Sequence, residues 1–241
     1  MEALYETDAY LREFSADVTG VEEGRRAVAL SASAFFPGGG GQPHDVGRLE
    51  FNGTRAEVTA ASKGDGGVVW HELADGAPLP AVGVEVRGVL DWERRHRTMR
   101  THTALHILNG LIWVHHGARV TGAHMTPGEG RLDFELPEMS KEFGREIEAR
   151  INDQVARSRR VKVRFMPRSE ADLDPSLIRL KANLIPRTID PLRVIDIVGL
   201  DRQADGGTHV ASTGEVGRVL VTGTQSKGRA NKRVRIALAD E

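Results

Sequence analysis

The hydrophobic pattern of the chain changes near residue 90, and this change limits the folds that the sequence can adopt. Before it, short apolar–polar alternations such as residues 82–87 are separated by close turns, which is typical of β-strands. Asn52-Gly53 lies between two such runs and predicts a β-hairpin, because both turn residues need a positive φ. No run with a helical period competes in this region. Residues 1–90 are therefore predicted to form a small β-barrel or sandwich.

After residue 90 the apolar residues recur at helical spacing. The pattern predicts one helix over residues 91–116, with Gly117 as its C-cap, and a second over residues 140–158. Strands are predicted at residues 161–165, 194–198, 218–222 and 233–238. The predicted fold class is α+β, with an N-terminal small β-barrel over residues 1–90 and an α+β domain over residues 91–241.

Composition excludes several classes of site. The 241 residues include no cysteine, which excludes disulfides, cysteine zinc fingers, iron–sulfur clusters and a thiol nucleophile. Lys+Arg 33 and Asp+Glu 34 give a net charge of -1. This excludes a nucleic-acid-binding protein that is basic over its whole surface, but it is compatible with local basic patches. No apolar run reaches membrane-spanning length, and the acidic N-terminus lacks a signal-peptide pattern. A cytoplasmic protein without a membrane partner is expected.

Two histidines on the first predicted helix form a candidate metal site. His102 and His106 are four residues apart, which places both imidazoles on one helix face about one turn apart. Such a pair can bind one metal ion. Thr103 stands where the HExxH motif of metalloproteases carries glutamate, so that motif is absent. Two solvated or core histidines are the alternative interpretation.

A second candidate lies in residues 203–210, where a Gly-Gly turn follows a predicted strand. If the turn folds back, Asp205 and His209 face one point and complete a tetrahedral site with His102 and His106. The neighbouring Gln203 is a candidate for a supporting hydrogen bond. A loop with an incidental histidine is the alternative.

The β region contains a glycine run directly before Gln42. Glycines weaken strands and suit places where the backbone must closely approach a ligand or another domain. The flanking Phe-Phe-Pro and Gln-Pro segments indicate a loop that is held in place, with a flexible loop as the alternative. The run consists of Gly38, Gly39, Gly40 and Gly41.

Basic residues cluster along the chain although the total charge is balanced. Such clusters beside a candidate metal site indicate a phosphate-rich partner, and solvated faces are an equally plausible alternative. Aromatic residues make up only 5%, so base stacking is not expected as the main binding mode. The cations predicted to contact RNA are Arg94, Arg95, Arg97, Arg100, Arg159, Arg160, Lys227, Arg229, Lys232 and Arg233.

Taken together, these motifs resemble the alanyl-tRNA editing proteins of the AlaX family, freestanding relatives of the editing domain of alanyl-tRNA synthetase. The resemblance covers about residues 30–238 and implies a β-barrel like that of translation proteins, followed by an α+β editing domain. The segments that carry it, in order, are residues 36–47 (FPGGGGQPHDVG), 100–106 (RTHTALH), 205–210 (DGGTHV) with 213–217 (TGEVG), and 226–236 (SKGRANKRVRI).

The resemblance implies hydrolysis of mischarged tRNA(Ala) in trans and without ATP, with Ser-tRNA(Ala) as the main substrate and Gly-tRNA(Ala) as a further candidate. It also implies one Zn²⁺ per chain, held by His102, His106, Asp205 and His209. The family more commonly carries cysteine at the position of Asp205. A carboxylate is a competent zinc ligand but a harder one than thiolate, which affects metal choice and affinity.

Catalytic and substrate contacts are predicted at further positions. A site that hydrogen-bonds the serine hydroxyl would reject alanine, because its polar groups would then be left unpaired. The catalytic candidates are His102, His106, Thr103 and Gln203, and the substrate-binding candidates are Gly38, Gly39, Gly40, Gly41, Gln42, Thr121 and His124. The alternatives are a metal-stabilised RNA-binding module without catalysis, an editing hydrolase for another mischarged tRNA, and a structural domain without metal.

Overall fold

The computed structural model describes residues 1–140, 142–181, 185–228 and 230–239. The chain divides into two compact units, Met1–His96 and Arg97–Glu241. The division falls inside a long helix, and the predicted boundary at residues 90 and 91 lies directly before the start of that helix at Trp92. Among the described residues, no helix is both long and apolar enough to cross a membrane.

The first unit is built almost entirely of short strands. Two 3-10 turns, Glu23–Arg25 and Asp65–Gly67, connect some of them. The elements are β1 (Glu2–Ala3), α1 (Leu4–Thr7), β2 (Glu13–Glu22), β3 (Ala27–Leu30), β4 (Ala32–Ser33), β5 (Gly47–Phe51), β6 (Thr54–Lys63), β7 (Val69–Leu73) and β8 (Glu85–Leu90).

Six of these strands close into an antiparallel barrel in the order β2-β3-β7-β6-β5-β8. Alternate residues point inward, as in β2, where Phe14, Ala16 and Val18 are buried and their neighbours are exposed. The predicted hairpin is confirmed: β5 and β6 pair around Asn52 and Gly53, whose φ angles are 48° and 74°. The barrel is thus a closed sheet with an apolar interior, and the predicted α+β class with an N-terminal barrel is confirmed.

The second unit combines two helices of more than three turns with two antiparallel sheets. The sheet orders are β14-β15-β10-β9 and β11-β12-β13. Short 3-10 turns lie at Pro175–Leu177 and Thr213–Val216. The elements are α2 (Trp92–His116), which begins in the first unit, β9 (Val120–Thr126), β10 (Glu129–Phe134), α3 (Phe143–Ala156), β11 (Val161–Met166), α4 (Arg168–Ala171), β12 (Leu192–Ile197), β13 (Asp201–Ala204), β14 (Val219–Ser226) and β15 (Lys232–Leu238).

The predicted helices and strands of this region are confirmed with small changes at their ends. Gly117 follows α2 with φ of 60° and donates its N–H to the Trp113 carbonyl, as expected of a C-cap. Helix α3 covers the edge of β14, because Asn152 exchanges two hydrogen bonds with the Val219 backbone and Glu148 accepts from the Val221 N–H at 2.7 Å. This covering satisfies backbone groups that an edge strand would otherwise leave unpaired.

His71 is a buried titratable group inside the barrel. Its Nε2 lies 2.8 Å from the Ser33 hydroxyl and its Nδ1 lies 3.1 Å from the Val28 carbonyl. A neutral imidazole that donates from Nδ1 and accepts at Nε2 fits both partners. Burial lowers the pKa of His71 to about 4, although the bond to Val28 opposes the shift.

We expect the free energy of unfolding to fall as the pH falls from about 6.5 to about 4. In that window the unfolded imidazole takes up a proton that the folded one does not bind, so about 3 kcal/mol is lost in total. Urea unfolding between pH 7.5 and pH 4 measures the effect. His71→Gln should make the pH dependence less steep, by the share that His71 contributes, and His116→Gln, at an exposed position, should not. Equal slopes in both variants would contradict the assignment.

Candidate metal centre

Four side chains from two parts of the second unit converge on one point. His102 and His106 project from α2, and Asp205 and His209 lie in the loop after β13. One potential ligand atom from each residue lies within 4.8 Å of the other three. The three imidazoles are buried and the carboxylate is partly exposed. The structure thus brings together the four residues that the sequence predicted as ligands.

The spacing of the donor atoms suits a small divalent ion. Asp205 Oδ2 lies 3.7 Å from His102 Nε2 and 3.9 Å from His106 Nε2, and Asp205 Oδ1 lies 3.2 Å from His209 Nε2. Ligand atoms about 2.1 Å from an ion at the corners of a tetrahedron lie roughly 3.4 Å from one another. Three imidazole nitrogens and one carboxylate oxygen are also a donor set that zinc accepts. The residues present therefore fit the implied metal.

His106 is oriented from behind by a buried carboxylate. Its Nδ1 donates to Asp201 Oδ2 at 3.0 Å, which leaves the Nε2 lone pair facing the cluster. Gln203 donates to the same carboxylate at 2.6 Å and accepts from Asn109 at 2.9 Å. Arg179 forms an ion pair with Asp201 from the other side. Gln203 therefore reaches His106 through Asp201 and also directly, since its Nε2 lies 3.4 Å from His106 Nδ1. Its predicted catalytic role stays a prediction.

The other two imidazoles also have partners at Nδ1 or on the backbone. His209 Nδ1 lies 3.1 Å from the Thr103 hydroxyl, which also accepts from the Val210 N–H at 3.3 Å. His102 hydrogen-bonds to the backbone of Thr208. Thr103 is fully buried and its hydroxyl orients His209, while its predicted catalytic role stays a prediction.

The loop that carries Asp205 is braced by the protein itself. Asp205 Oδ1 accepts from the Gly207 N–H at 2.7 Å, which closes the turn. The buried guanidinium of Arg193 donates from Nη1 to the carbonyls of Asp205 and Gly207 at 2.9 and 2.8 Å. Asp205 N–H in turn donates to the Arg193 carbonyl at 3.1 Å. The carboxylate is thus held at the cluster by bonds within the chain.

Burial and mutual charge set the protonation of the cluster. Burial lowers the pKa of His102 to about 4 and holds the pKa of His209 well below its ordinary value. Burial also acts on His106, but its bond to Asp201 and the charge of Asp205 outweigh it and raise the pKa. For Asp205, burial is opposed by the three neighbouring imidazoles, which hold its pKa well below its usual range. An ionised carboxylate beside neutral His102 and His209 is the state that binds a cation.

The glycine run lies in the first unit and has the conformation that only glycine adopts freely. The φ angles of Gly38, Gly39, Gly40 and Gly41 are 80°, 135°, 61° and 94°. Gly39 and Gln42 exchange two backbone hydrogen bonds across the tip, at 2.9 and 3.0 Å. The expectation of a loop held in place is confirmed for its backbone. Its predicted contact with substrate stays a prediction.

Arg95 holds the base of this loop and is not a surface cation. Its guanidinium is fully buried and donates from Nε to both oxygens of Asp45, at 3.0 and 2.9 Å. Further bonds reach the carbonyls of Ala9 and Ala34, and Asp45 accepts from the Phe36 N–H at 2.7 Å. A side chain with no exposed surface cannot contact a phosphate, so the predicted RNA contact of Arg95 is corrected.

The remaining predicted cations differ in what they contact. Lys232 is only 5% exposed and donates to the Gly228 carbonyl. Arg100, Arg159 and Arg94 donate to the carbonyls of Val216, Val198 and His44. Arg97 and Arg233 are half-buried, Arg160 and Lys227 are exposed, and Arg229 lies outside the described residues. Their contact with RNA stays a prediction.

Thr121 and His124 lie on β9, exposed, and are not among the four ligands. Thr121 donates to Asn231 at 3.3 Å.

Sequence reasoning missed Asp201, Arg193 and Arg179, which position the candidate ligands. The signal available for Asp201 was its place two residues before Gln203 on the same strand face, where both side chains point the same way.

Comparison with known proteins identifies relatives over the whole chain. A family model described as the threonyl and alanyl tRNA synthetase second additional domain matches residues 192–235, which include Asp205 and His209. The chain is 37% identical to the alanyl-tRNA editing protein AlaX-M of Saccharolobus solfataricus, over 97% of each chain. It is 36% identical to AlaX-M of Methanosarcina mazei, over 100% of this chain and 97% of the relative. It is also 39% identical to the alanine–tRNA ligase of Thermofilum pendens, over 91% of this chain and 24% of the ligase.

The role assigned to Asp201 can be tested by Asp201→Asn. The amide keeps the shape of the carboxylate but loses the charge that orients His106, so we expect metal affinity to fall roughly 10- to 100-fold. Competition with a chromophoric chelator measures the affinity. Asp196→Asn is the matched control, because Asp196 lies on neighbouring β12 and pairs with Arg164 at 3.4 Å. Unchanged metal affinity in Asp201→Asn would exclude the positioning role.

Proposed function

The chain belongs to the AlaX family of alanyl-tRNA editing proteins, and on that premise we propose that it hydrolyses mischarged tRNA(Ala) in trans, with Ser-tRNA(Ala) as its main substrate and Gly-tRNA(Ala) as a further candidate. The observation that carries the proposal is the His102, His106, Asp205 and His209 cluster in a chain that matches AlaX-M along almost its full length. The cytoplasmic location stays a prediction.

The reaction breaks the ester between the amino acid and the terminal ribose of tRNA. Water adds its oxygen to the carbonyl carbon, the bond to the ribose oxygen breaks, and the products are a free amino acid and a tRNA with a free terminal hydroxyl. The ester is already activated, so a covalent nucleophile is not required. This suits a chain without cysteine.

The four clustered side chains would hold one Zn²⁺. When bound, such an ion supplies Lewis acidity, which polarises an ester carbonyl or lowers the pKa of a water molecule. The chain contributes the orientation of each imidazole, through Asp201 for His106 and through Thr103 for His209. It also buries the three imidazoles, so that only Asp205 is partly exposed.

Substrate is expected to approach the cluster from the side of Asp205. The side chains of His102, His106 and His209 are 8%, 9% and 2% exposed, whereas that of Asp205 is 20% exposed. The carboxylate is therefore the ligand beside which a carbonyl or water oxygen finds room. Because Thr103 is fully buried and its hydroxyl already bonds His209, the contact to the serine hydroxyl is expected from another group. Thr121 and His124 stay predictions for that contact, and Gly38 to Gly41 with Gln42 stay predictions for substrate binding in general.

One observation favours a second function. Four protein ligands are enough to fill a tetrahedral zinc site, and a filled site is typical of structural zinc. A metal-stabilised RNA-binding module without catalysis would look the same around the ion. The partial exposure of Asp205 argues against it, because a ligand at the open side can give way to a substrate atom.

Deacylation of Ser-tRNA(Ala), Gly-tRNA(Ala) and Ala-tRNA(Ala) tests the proposal. We expect loss of the serine ester, sparing of the alanine ester, and inhibition by a metal chelator that added Zn²⁺ reverses. His106→Ala should abolish hydrolysis and lower bound metal, because it removes one ligand. His96→Ala, on the same helix, is the control. Bound metal without any deacylation would instead support the non-catalytic module.

Asp205→Cys tests whether the carboxylate acts as a metal ligand. A thiolate binds zinc at a similar position, so we expect the variant to keep both zinc and deacylation activity. Because thiolate is the softer ligand, the variant should also prefer Zn²⁺ over Mn²⁺ more strongly than the parent chain. Metal analysis after exposure to an equimolar mixture gives the readout. Asp205→Asn is the control and should bind metal more weakly than either. Loss of zinc and activity in Asp205→Cys would mean that the site requires the carboxylate.

A further inference from the structure

The register of the four-stranded sheet places three basic side chains in one row. Arg235 on β15 lies directly opposite Arg131 on β10, and Arg131 lies directly opposite His124 on β9. Residues paired in this way point to the same face, with Cβ atoms about 4.5–5.5 Å apart. Two arginines and a histidine therefore stand side by side across three strands.

The row lies on the outer face of the sheet. The residues that alternate with it point the other way, and Leu132, Val234, Ile236 and Met125 are all buried. His124 is exposed and the side chain of Arg131 is 31% exposed. Like charges directly opposite each other destabilise a sheet. Core packing does not explain the row, since its apolar neighbours already form the inner face.

Carboxylates only partly neutralise this face. Asp133 accepts from Arg233 at 2.6 and 2.7 Å and also from Arg131 at 3.1 Å, so one carboxylate is shared by two guanidinium groups. Arg235 donates to the neutral amide of Gln225 at 3.3 Å. Besides Asp133, the face carries Glu129, opposite Ala237 and Thr126. Exposed Lys227 lies in the turn between β14 and β15. The face keeps an excess of positive charge.

The side chains of the row, Arg235, Arg131 and His124, are suited to bind a phosphate backbone. Guanidinium groups bind phosphate through paired N–H donors, whereas bases are bound mainly by aromatic stacking and edge contacts. The row carries no Phe, Tyr or Trp. Double-stranded RNA is recognised largely through shape and backbone, so a flat basic sheet suits the helical part of a tRNA.

We propose that the outer face of the four-stranded sheet, with Arg131, Arg235 and His124 at its centre, binds the phosphate backbone of the substrate tRNA. The proposal rests on the proposed editing function for the identity of the RNA. This surface differs in part from the set of RNA-contacting cations that the sequence predicts from local charge clusters. Arg95 and Lys232 of those clusters are buried, while Arg131 and Arg235 come together only through strand pairing.

The test is tRNA(Ala) binding by the double variant Arg131→Gln and Arg235→Gln, measured by fluorescence anisotropy over a range of salt concentrations. We expect Kd to rise about 10-fold and the slope of log K against log salt to shrink by about 1 to 2 units, as two phosphate contacts are lost. With Ser-tRNA(Ala) as substrate, KM should rise while kcat and bound metal stay unchanged. The charge-keeping variant Arg131→Lys and Arg235→Lys should retain most of the salt slope.

The matched control is the double variant Arg25→Gln and Arg55→Gln. These barrel arginines are exposed by 41% and 74% and pair with acidic side chains, so the control removes the same net charge. It should leave Kd and the salt slope unchanged. Equal losses of tRNA affinity in the control and the test variant would show that affinity follows net charge alone, and would overturn the proposal. An unchanged slope of log K against log salt in the test variant would also overturn it.

A further variant covers the case in which the double variant does not fold. Gln225→Glu puts a carboxylate beside Arg235 without removing any arginine, and it should also weaken tRNA binding.

Failure of the proposal is distinct from failure of the editing function. Hydrolysis of Ser-tRNA(Ala) with binding insensitive to the sheet variants overturns the proposal alone. Sheet-dependent tRNA binding without hydrolysis overturns the editing function alone.

Discussion

Helix α2 lies unusually close to β13, and the candidate metal centre depends on this approach. Gly110 stands at the contact: a Cβ there would lie 3.0 Å from Asp201 Cβ and 3.1 Å from the Leu200 carbonyl oxygen. Such distances are tighter than ordinary packing allows. Without that atom, the helix lies near enough for His106 to reach Asp201 and for Asn109 to reach Gln203. One turn before His106 on α2, His102 faces the loop after β13 that carries Asp205 and His209.

Buried charge is used in both units, and each time it fixes a loop or a ligand. Asp201 lies between the imidazole of His106 and the guanidinium of Arg179, with both partners supplied by the chain. Asp45 is held by Arg95 in the same manner. Removing charges from water is costly, and a buried pair adds little net stability over apolar packing. The value of these pairs therefore lies in geometry: one orients a ligand, and the other closes the base of the glycine loop.

The sequence predicts features that are encoded locally. The Asn52-Gly53 hairpin, the C-cap at Gly117 and the pairs His102/His106 and Asp205/His209 each follow from residues close together in the chain, since turn chemistry and helical spacing act over a few positions. That the two pairs form one site does not follow from local sequence. Burial of charge does not follow in this way. Arg94, Arg95 and Arg97 look alike in sequence, yet Arg95 is fully buried because Asp45, fifty residues earlier, supplies its partner. The row of Arg131 and Arg235 likewise depends on strand register, which the local pattern does not specify.

The loop around Asp205 bears on what a metal ion contributes to this protein. In small zinc-dependent folds the ion supplies the folding energy, and the ligand loops have no order without it. Here the Gly207 N–H and the Arg193 guanidinium hold the loop, and the imidazoles of His106 and His209 are oriented by Asp201 and Thr103. Among the described residues, the apolar clusters of the two units contain none of the four candidate ligands. Bonds within the chain thus position Asp205, His106 and His209, so this candidate metal centre differs from small zinc-dependent folds, in which the ion itself orders the ligands.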